Sequence, residues 1–264
     1  MKIIGWKTGH NIADTIIKEF GYDICDYFCN AFDFAGRINL DADVHIGYGI
    51  LRGMAEIYNK ADNWFEIDNG YWGAGHFSGN YRISFKSTQS QYSDDLQQPH
   101  GLILGPWKTT GDTILIVPPS DYVREFFNVT GIDWYRSNFN PYLHKCVVRT
   151  KDAKELINWE KIKGVITFNS TVGVEALRRG IPVISDIEHS MIGSYYKQKL
   201  IDKGLDYTFE NVMTISREPL FNCMQTHQFT LEDIREGKAW KLLNYYLRLM
   251  SGSDTIPVKQ LLQK

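Results

Sequence analysis

Residues 164–186 read GVITFNSTVGVEALRRGIPVISD, with three adjacent polar side chains, Asn169, Ser170 and Thr171, between an apolar run and a pattern of helical period. Hydroxyl and amide groups at such a junction suit an anion. Val172, Val174, Ala176 and Leu177 predict a helix, Gly180 its left-handed stop, and Pro182 the block to continuation. Asn169 and Ser170 are favoured N-cap types, because a side-chain oxygen can accept from the free N–H groups of the first turn. A turn of this kind after a parallel strand offers N–H groups and the positive end of a helix dipole, where a phosphate can sit. The same residues equally suit a plain strand-turn-helix-strand unit in which Ser170 and Thr171 only cap.

Other residues share that placement. Ser120 follows the apolar run TILIVPP, and Arg149 and Lys151 follow KCVVR, so each lies at the carboxyl end of a predicted parallel strand. Glu175 stands one helical turn after Thr171, on the same face. Its carboxylate suits either the two hydroxyls of a ribose or a solvated, dipole-stabilised position. Arg178 and Arg179 complement the dipole at the other end of the helix.

The first half holds residues able to take a proton from a hydroxyl. Asp68 ends the strand-like WFEID and opens NGYWGAGHF; His10 follows the first strand. Asp68 also suits an Asx turn with Asn69 and Gly70, and His10 a helix cap. Tyr71 and Trp72 offer rings for stacking, and His76 and Arg82 polar contacts, to a second substrate. Asp43 and His45 read as structural. Cys25, Cys29, Cys146 and Cys223 read as free thiols, since no second pair or His cluster completes a metal site.

The elements that must position these residues follow from periodicity. Strands are predicted at 2–6, 43–49, 64–68, 81–85 and 102–104, with helices at 12–20 and 50–59; the segment 69–112 is Gly- and aromatic-rich and reads as a binding loop. A new cycle then runs through strands at 113–119, 145–149 and 164–168 and helices at 121–128 and 152–159. Residues 190–203 read as helix and 222–228 as irregular. TLED at 230–233 reads as a capping box opening one long helix through Met250, with a loose tail from 252. The alternation predicts an α/β chain of two tandem Rossmann-like parallel-sheet domains facing across a cleft, at 1–112 and 113–230, followed by a helix and tail at 231–264.

Composition narrows the class. With 264 residues, 43% apolar and 23% charged, the chain is globular rather than disordered. It has neither an apolar run of about 18 residues nor a start resembling a signal peptide, which predicts a cytoplasmic protein with no membrane partner. Residues 1–112 carry 9 Lys and Arg against 14 Asp and Glu, whereas 113–264 carry 20 against 17. An anionic ligand is therefore more easily hosted by the second half.

The order strand, R-x-K, helix, strand, N-S-T-x-G-x-E-A-L-x-x-G-x-P-V, spanning about 113–186, resembles the donor half of GT-B glycosyltransferases, in particular the capsule-polysaccharide and Kdo-transferase-like group. The resemblance implies Arg149, Lys151, Ser170 and Thr171 at a phosphate and Glu175 at a nucleoside. It also implies a nucleotide-sugar as co-substrate, with no metal or other cofactor. DNGYWGAGHFSGNYRIS and the short length resemble small phage-encoded glycosyltransferases. That likeness implies a host-cytoplasm enzyme whose acceptor is a hydroxymethylated pyrimidine in duplex DNA, met by a rim of Arg52, Arg82, Lys86 and Lys108. A surface polysaccharide or lipid-linked sugar is the alternative acceptor. A UDP-sugar epimerase and a non-catalytic nucleotide- or nucleic-acid-binding module are the alternative activities.

Overall fold

The computed structural model describes residues 1–22, 24–34, 42–72, 79–129 and 145–251. The chain is α/β. It divides into two compact units, Met1–Thr88 with Thr226–Lys264, and Gln89–Gln225. The sequence reading puts the divide at 112 and sets 231–264 apart, whereas the packing returns the C-terminal segment to the first unit.

The first unit holds a six-stranded sheet. Strands β1 (Ile3–Lys7), β2 (Tyr27–Asn30), β3 (Val44–Tyr48), β4 (Trp64–Asn69), β5 (Asn80–Phe85) and β10 (Gln228–Thr230) lie in the order β10-β5-β4-β3-β1-β2. The four strands from β2 to β4 run parallel; β5 is antiparallel to β4, and β10 to β5. Four consecutive residues of β1 and of β3 are buried, the continuous pattern of strands covered on both faces. Helix α1 (Asn11–Gly21) buries Ile16, Ile17 and Phe20 and packs on β1 and β3. Helix α2 (Met54–Lys60) starts after Arg52 and Gly53, both at positive φ, later than the predicted 50.

The C-terminal segment joins this unit through specific contacts. Trp240 stacks on Phe20 at 5.4 Å between centroids, and the Tyr246 hydroxyl lies 2.7 Å from His227 Nε2. The predicted capping box at Thr230 and Asp233 forms. Instead of one long helix it opens a short α8 (Leu231–Arg235), because Gly237, at φ +73°, breaks the helix before α9 (Trp240–Ser251).

The second unit holds β6 (Thr113–Val117), β7 (Lys145–Val148), β8 (Ile162–Thr167) and β9 (Val183–Ser185), all parallel, in the order β7-β6-β8-β9. Ile114, Ile116, Ile166 and Ile184 form its buried core. Its helices are α3 (Asp121–Phe126), α4 (Thr171–Arg178), α5 (Met191–Ile201), α6 (Phe209–Val212) and α7 (Glu218–Thr226), the last covering part of the stretch expected to be irregular.

Two further expectations fail for local reasons. Residues 152–159 do not form a helix, because the Arg149 guanidinium donates to the carbonyls of Ala153 and Glu155, acceptors a helix would need for its own ladder. Residues 102–104 form no strand. That segment hydrogen-bonds to the end of α4 instead, Gly105 N to Arg178 O at 2.9 Å and Lys108 N to Gly180 O at 2.7 Å. Gly180 sits at φ +79°, and a Cβ there would lie 1.8 Å from Pro106 O. Among the described residues no helix is long and apolar enough to cross a membrane.

Candidate functional site

In the second unit the strand order reverses between β6 and β8, since one crossover leads to β7 and the next returns past β6. Ligands of open parallel sheets bind beyond the carboxyl ends of the strands at such a point. Beyond β6 lies Pro118-Pro119-Ser120 and beyond β8 lies Phe168-Asn169-Ser170-Thr171, so the four expected residues Ser120, Asn169, Ser170 and Thr171 share one sheet edge.

The turn after β8 is built by its own polar groups. Ser170 caps α4, its Oγ accepting from Val172 N at 3.2 Å, while Thr167 Oγ1 accepts from Ser170 N at 3.2 Å. Thr171 is exposed at the first helical position. Ser120 stands at the N-cap of α3 with extended backbone but makes no side-chain capping bond, which leaves its hydroxyl for other work. Gln89, buried, holds the turn from behind: its Nε2 donates to Asn169 O and its Oε1 accepts from Met191 N at 3.3 Å. One side-chain amide thus ties the turn to the start of α5.

The other expected donor residues are differently engaged. Arg149 and Lys151 follow β7 at the same edge, but the Arg149 guanidinium is occupied by its own loop's carbonyls, while Lys151 is exposed. Glu175 pairs with Arg179 Nε at 2.7 Å and lies 3.7 Å from Arg178 Nη1. Arg179 in turn lies over the Trp159 ring at 5.2 Å. A ribose could recruit Glu175 only by displacing that exposed pair, whose strength in water is modest.

Sequence reasoning missed a pair beyond β9. Asp186 Oδ1 accepts from His189 Nδ1 at 2.8 Å and from the backbone N–H groups of Glu188 and His189 at 3.0 and 2.8 Å. Burial works against the Asp186 charge, yet the His189 hydrogen bonds outweigh it and hold the carboxyl below its ordinary range. The signal was present as an acid and a histidine three apart immediately after an apolar strand.

In the first unit the order β2-β1-β3-β4 places the same reversal between β1 and β3. Thr8-Gly9-His10 lies beyond β1, and Asp14 shapes it by accepting from Thr8 N at 2.6 Å and Gly9 N at 3.1 Å. His10 is exposed and caps α1, with Nδ1 accepting from Ala13 N at 3.4 Å. In the neutral ring that contact puts the proton on Nε2. His45 is buried and accepts from Trp6 Nε1 at 3.0 Å; burial lowers its basicity.

The acceptor-side expectations meet a buried ion pair. Arg82 is not a surface cation: it is buried, donates from Nη2 to Asp68 Oδ2 at 2.8 Å, and donates to the carbonyls of Asn69 at 2.6 Å and Thr88 at 2.9 Å. Asp68 Oδ1 accepts from Asn69 N at 2.8 Å, so both its oxygens are engaged; this bond reaches one residue on, short of the two an Asx turn spans, and both residues lie within β4. Tyr71 is buried rather than offered as a stacking surface, and Trp72 is half-buried beside it. His76 lies outside the described residues.

Beside that pair Glu66 is fully buried, and burial together with the neighbouring Asp68 charge raises its carboxyl well above the ordinary value of 4.5, with Arg82 opposing. The native state therefore keeps a proton that the unfolded chain releases above about pH 4.5, so this group's contribution falls as pH rises from there toward its native value. Unfolding midpoints in urea from pH 5 to 8 should decline more steeply for the wild type than for Glu66→Gln. Parallel slopes for the two proteins would refute the protonated assignment.

No family model matches the chain, and no curated protein does. Among solved structures, one that matches is Thermosulfurimonas dismutans KpsC, a beta Kdo 2,7 transferase, at 12% identity and a TM-score of 0.43, over 90% of this chain and 100% of that one.

Proposed function

We propose that the chain is a glycosyltransferase that takes a sugar from a nucleotide-sugar and transfers it to a hydroxyl, with the nucleotide held by the second unit. The observation that carries this reading is the Asn169-Ser170-Thr171 turn capping α4 at the strand-order reversal, within the segment S-T-x-G-x-E-A-L. N–H groups at the start of α4 and the Ser120 and Thr171 hydroxyls would meet the phosphates, and Glu175 the ribose. Charge developing on the leaving phosphate would be met by these dipoles, so the reading needs no metal. The general base comes from His10 ahead of Asp68, since both Asp68 oxygens are already engaged, one by Arg82 Nη2 and the other by Asn69 N.

The acceptor in this reading is a carbohydrate hydroxyl rather than one on duplex DNA. Of the four cations assigned to a DNA rim, Arg82 is buried in its ion pair, and Lys108 Nζ donates to the carbonyls of Trp159, Glu160 and Ile162 at 2.6, 2.7 and 3.1 Å. Phosphate contacts supply most non-specific DNA affinity, so the loss of two cations from four weighs against DNA.

Thermal unfolding in the presence of UDP-, GDP- and CMP-sugars tests the donor. At about a hundredfold excess over Kd a bound ligand adds about 2.7 kcal/mol, which corresponds to roughly 5–10 °C for a chain of this size. The matching nucleotide-sugar should give that rise with or without a chelator, and none doing so would sink the reading. Transfer to hydroxymethylated duplex DNA, tested beside oligosaccharide acceptors, would reverse the acceptor assignment.

A further inference from the structure

The pair formed by Asp186 and His189 stands at the carboxyl edge of the second unit's sheet, one strand over from the capped turn, and the donor assignment above leaves it unused. His189 is partly exposed, with 26% of its side chain open, and its ring lies against two aromatic rings: Phe127 at 4.2 Å between centroids, and Phe168, stacked, at 5.3 Å. Phe168 immediately precedes Asn169, and its carbonyl accepts from Asp186 N at 3.1 Å. The ring is thus fixed against the residue that opens the turn. Behind it α5 makes a close backbone approach, since a Cβ at Gly193 would lie 2.0 Å from Asp186 O.

A carboxylate on Nδ1 has two consequences for an imidazole. It selects the tautomer with the proton on Nδ1, and it stabilises the ring's cation. The partners of the ring among the described residues are Asp186, Phe127 and Phe168; Nε2 has no hydrogen-bond partner there. The flanking chain adds no cation: Glu188 gives its carbonyl to Gln91 Nε2, and Ser190 Oγ bonds to Ser185 Oγ at 2.9 Å. An oriented ring nitrogen with an open hydrogen-bonding direction, beside a phosphate-type turn, is a built contact for an anion.

We infer that His189, held by Asp186, contacts the phosphate of the nucleotide donor through Nε2 and carries the positive charge that stabilises the departing phosphate. The inference rests on the donor assignment to this unit. The imidazolium donates Nε2–H to a non-bridging phosphate oxygen. As the acceptor oxygen bonds to the anomeric carbon and gives its proton to the general base, the anomeric C–O bond to the phosphate breaks, its electron pair stays on the phosphate, and the proton on Nε2 stays on the ring. Asp186 is a positioning residue, holding the ring and its charge without touching the donor.

Titration calorimetry of wild type, His189→Gln and Asp186→Asn at pH 6 with UDP, GDP and CMP, and with the parent nucleosides, tests this. Relative to wild type, His189→Gln should bind the matching nucleotide at least tenfold more weakly. Asp186→Asn should fall between the two, and affinity for the nucleoside should not change in either variant. Equal nucleotide affinity in wild type and His189→Gln would overturn the inference while leaving the donor assignment standing. No nucleotide bound by wild type would overturn both. Should His189→Gln misfold, the wild-type histidine ring signals in a carbon-proton NMR titration decide. One should shift with nucleotide and stay unmoved by nucleoside, and no such signal would count against the contact.

Discussion

Replacing Arg82 by leucine is expected to destabilise the protein by about 3–5 kcal/mol, the range for removing one partner of a buried ion pair. The guanidinium is buried and serves three acceptors: the Asp68 carboxylate and the carbonyls of Asn69 and Thr88. Leucine keeps some apolar volume but leaves all three without this donor, Thr88 being buried and Asp68 and Asn69 half-buried. Asp68, more open than Arg82, regains part of its hydration, so Asp68→Asn should cost less than Arg82→Leu. The double variant Arg82→Leu/Asp68→Leu removes the unpaired charge but does not restore the guanidinium bonds to the two carbonyls, and should recover only part of the loss. Urea unfolding of the four proteins followed by circular dichroism measures this. A loss for Arg82→Leu within about 1 kcal/mol of zero would show that the pair is not buried as described.

The second large effect is expected at Gln89. Its amide satisfies Asn169 O and Met191 N, both facing a buried side chain, and Gln89→Leu leaves each without that partner. A hydrogen bond contributes about 0.5–1.5 kcal/mol net, so the loss of both should amount to about 1–3 kcal/mol. The change also releases the turn that caps α4 from the start of α5, so nucleotide affinity should fall along with the melting temperature. Gln89→Glu tests the geometry at nearly constant shape. It still accepts from Met191 N but, when ionised, presents a second acceptor to Asn169 O, so it should lose a comparable amount above pH 5 and less below it. Thermal unfolding with and without the nucleotide reads both effects, and a Gln89→Leu protein as stable as wild type would refute the clamp.

Much of this chain was legible from local pattern alone. The apolar runs at β1, β3, β4, β6 and β8, the cap at Ser170, the stop at Gly180 and the capping box at Thr230 and Asp233 all arise from interactions within a few residues of each other. So does the α/β alternation, because continuous apolar strands separated by amphipathic helices have few ways to bury both faces. The placing of Ser120, Asn169, Ser170 and Thr171 at strand ends needed only the strands' direction.

Tertiary structure alone decided how the polar residues are spent. Asp68 and Arg82 are fourteen apart in sequence and meet only because β4 and β5 pair antiparallel with Asp68 opposite Arg82, which turns a proposed base and a proposed rim cation into one buried pair. Arg149 captures its own loop, and Lys108 holds carbonyls about fifty residues away, choices no spacing rule encodes. The strand β10 is three residues long and takes its partner from residues 80–82, so periodicity carried no trace of it. Asp186 and His189 lie between these extremes. Their spacing was visible, but the rings of Phe127 and Phe168 that orient the imidazole are brought to it by the end of α3 and the end of β8, which the chain keeps far from β9.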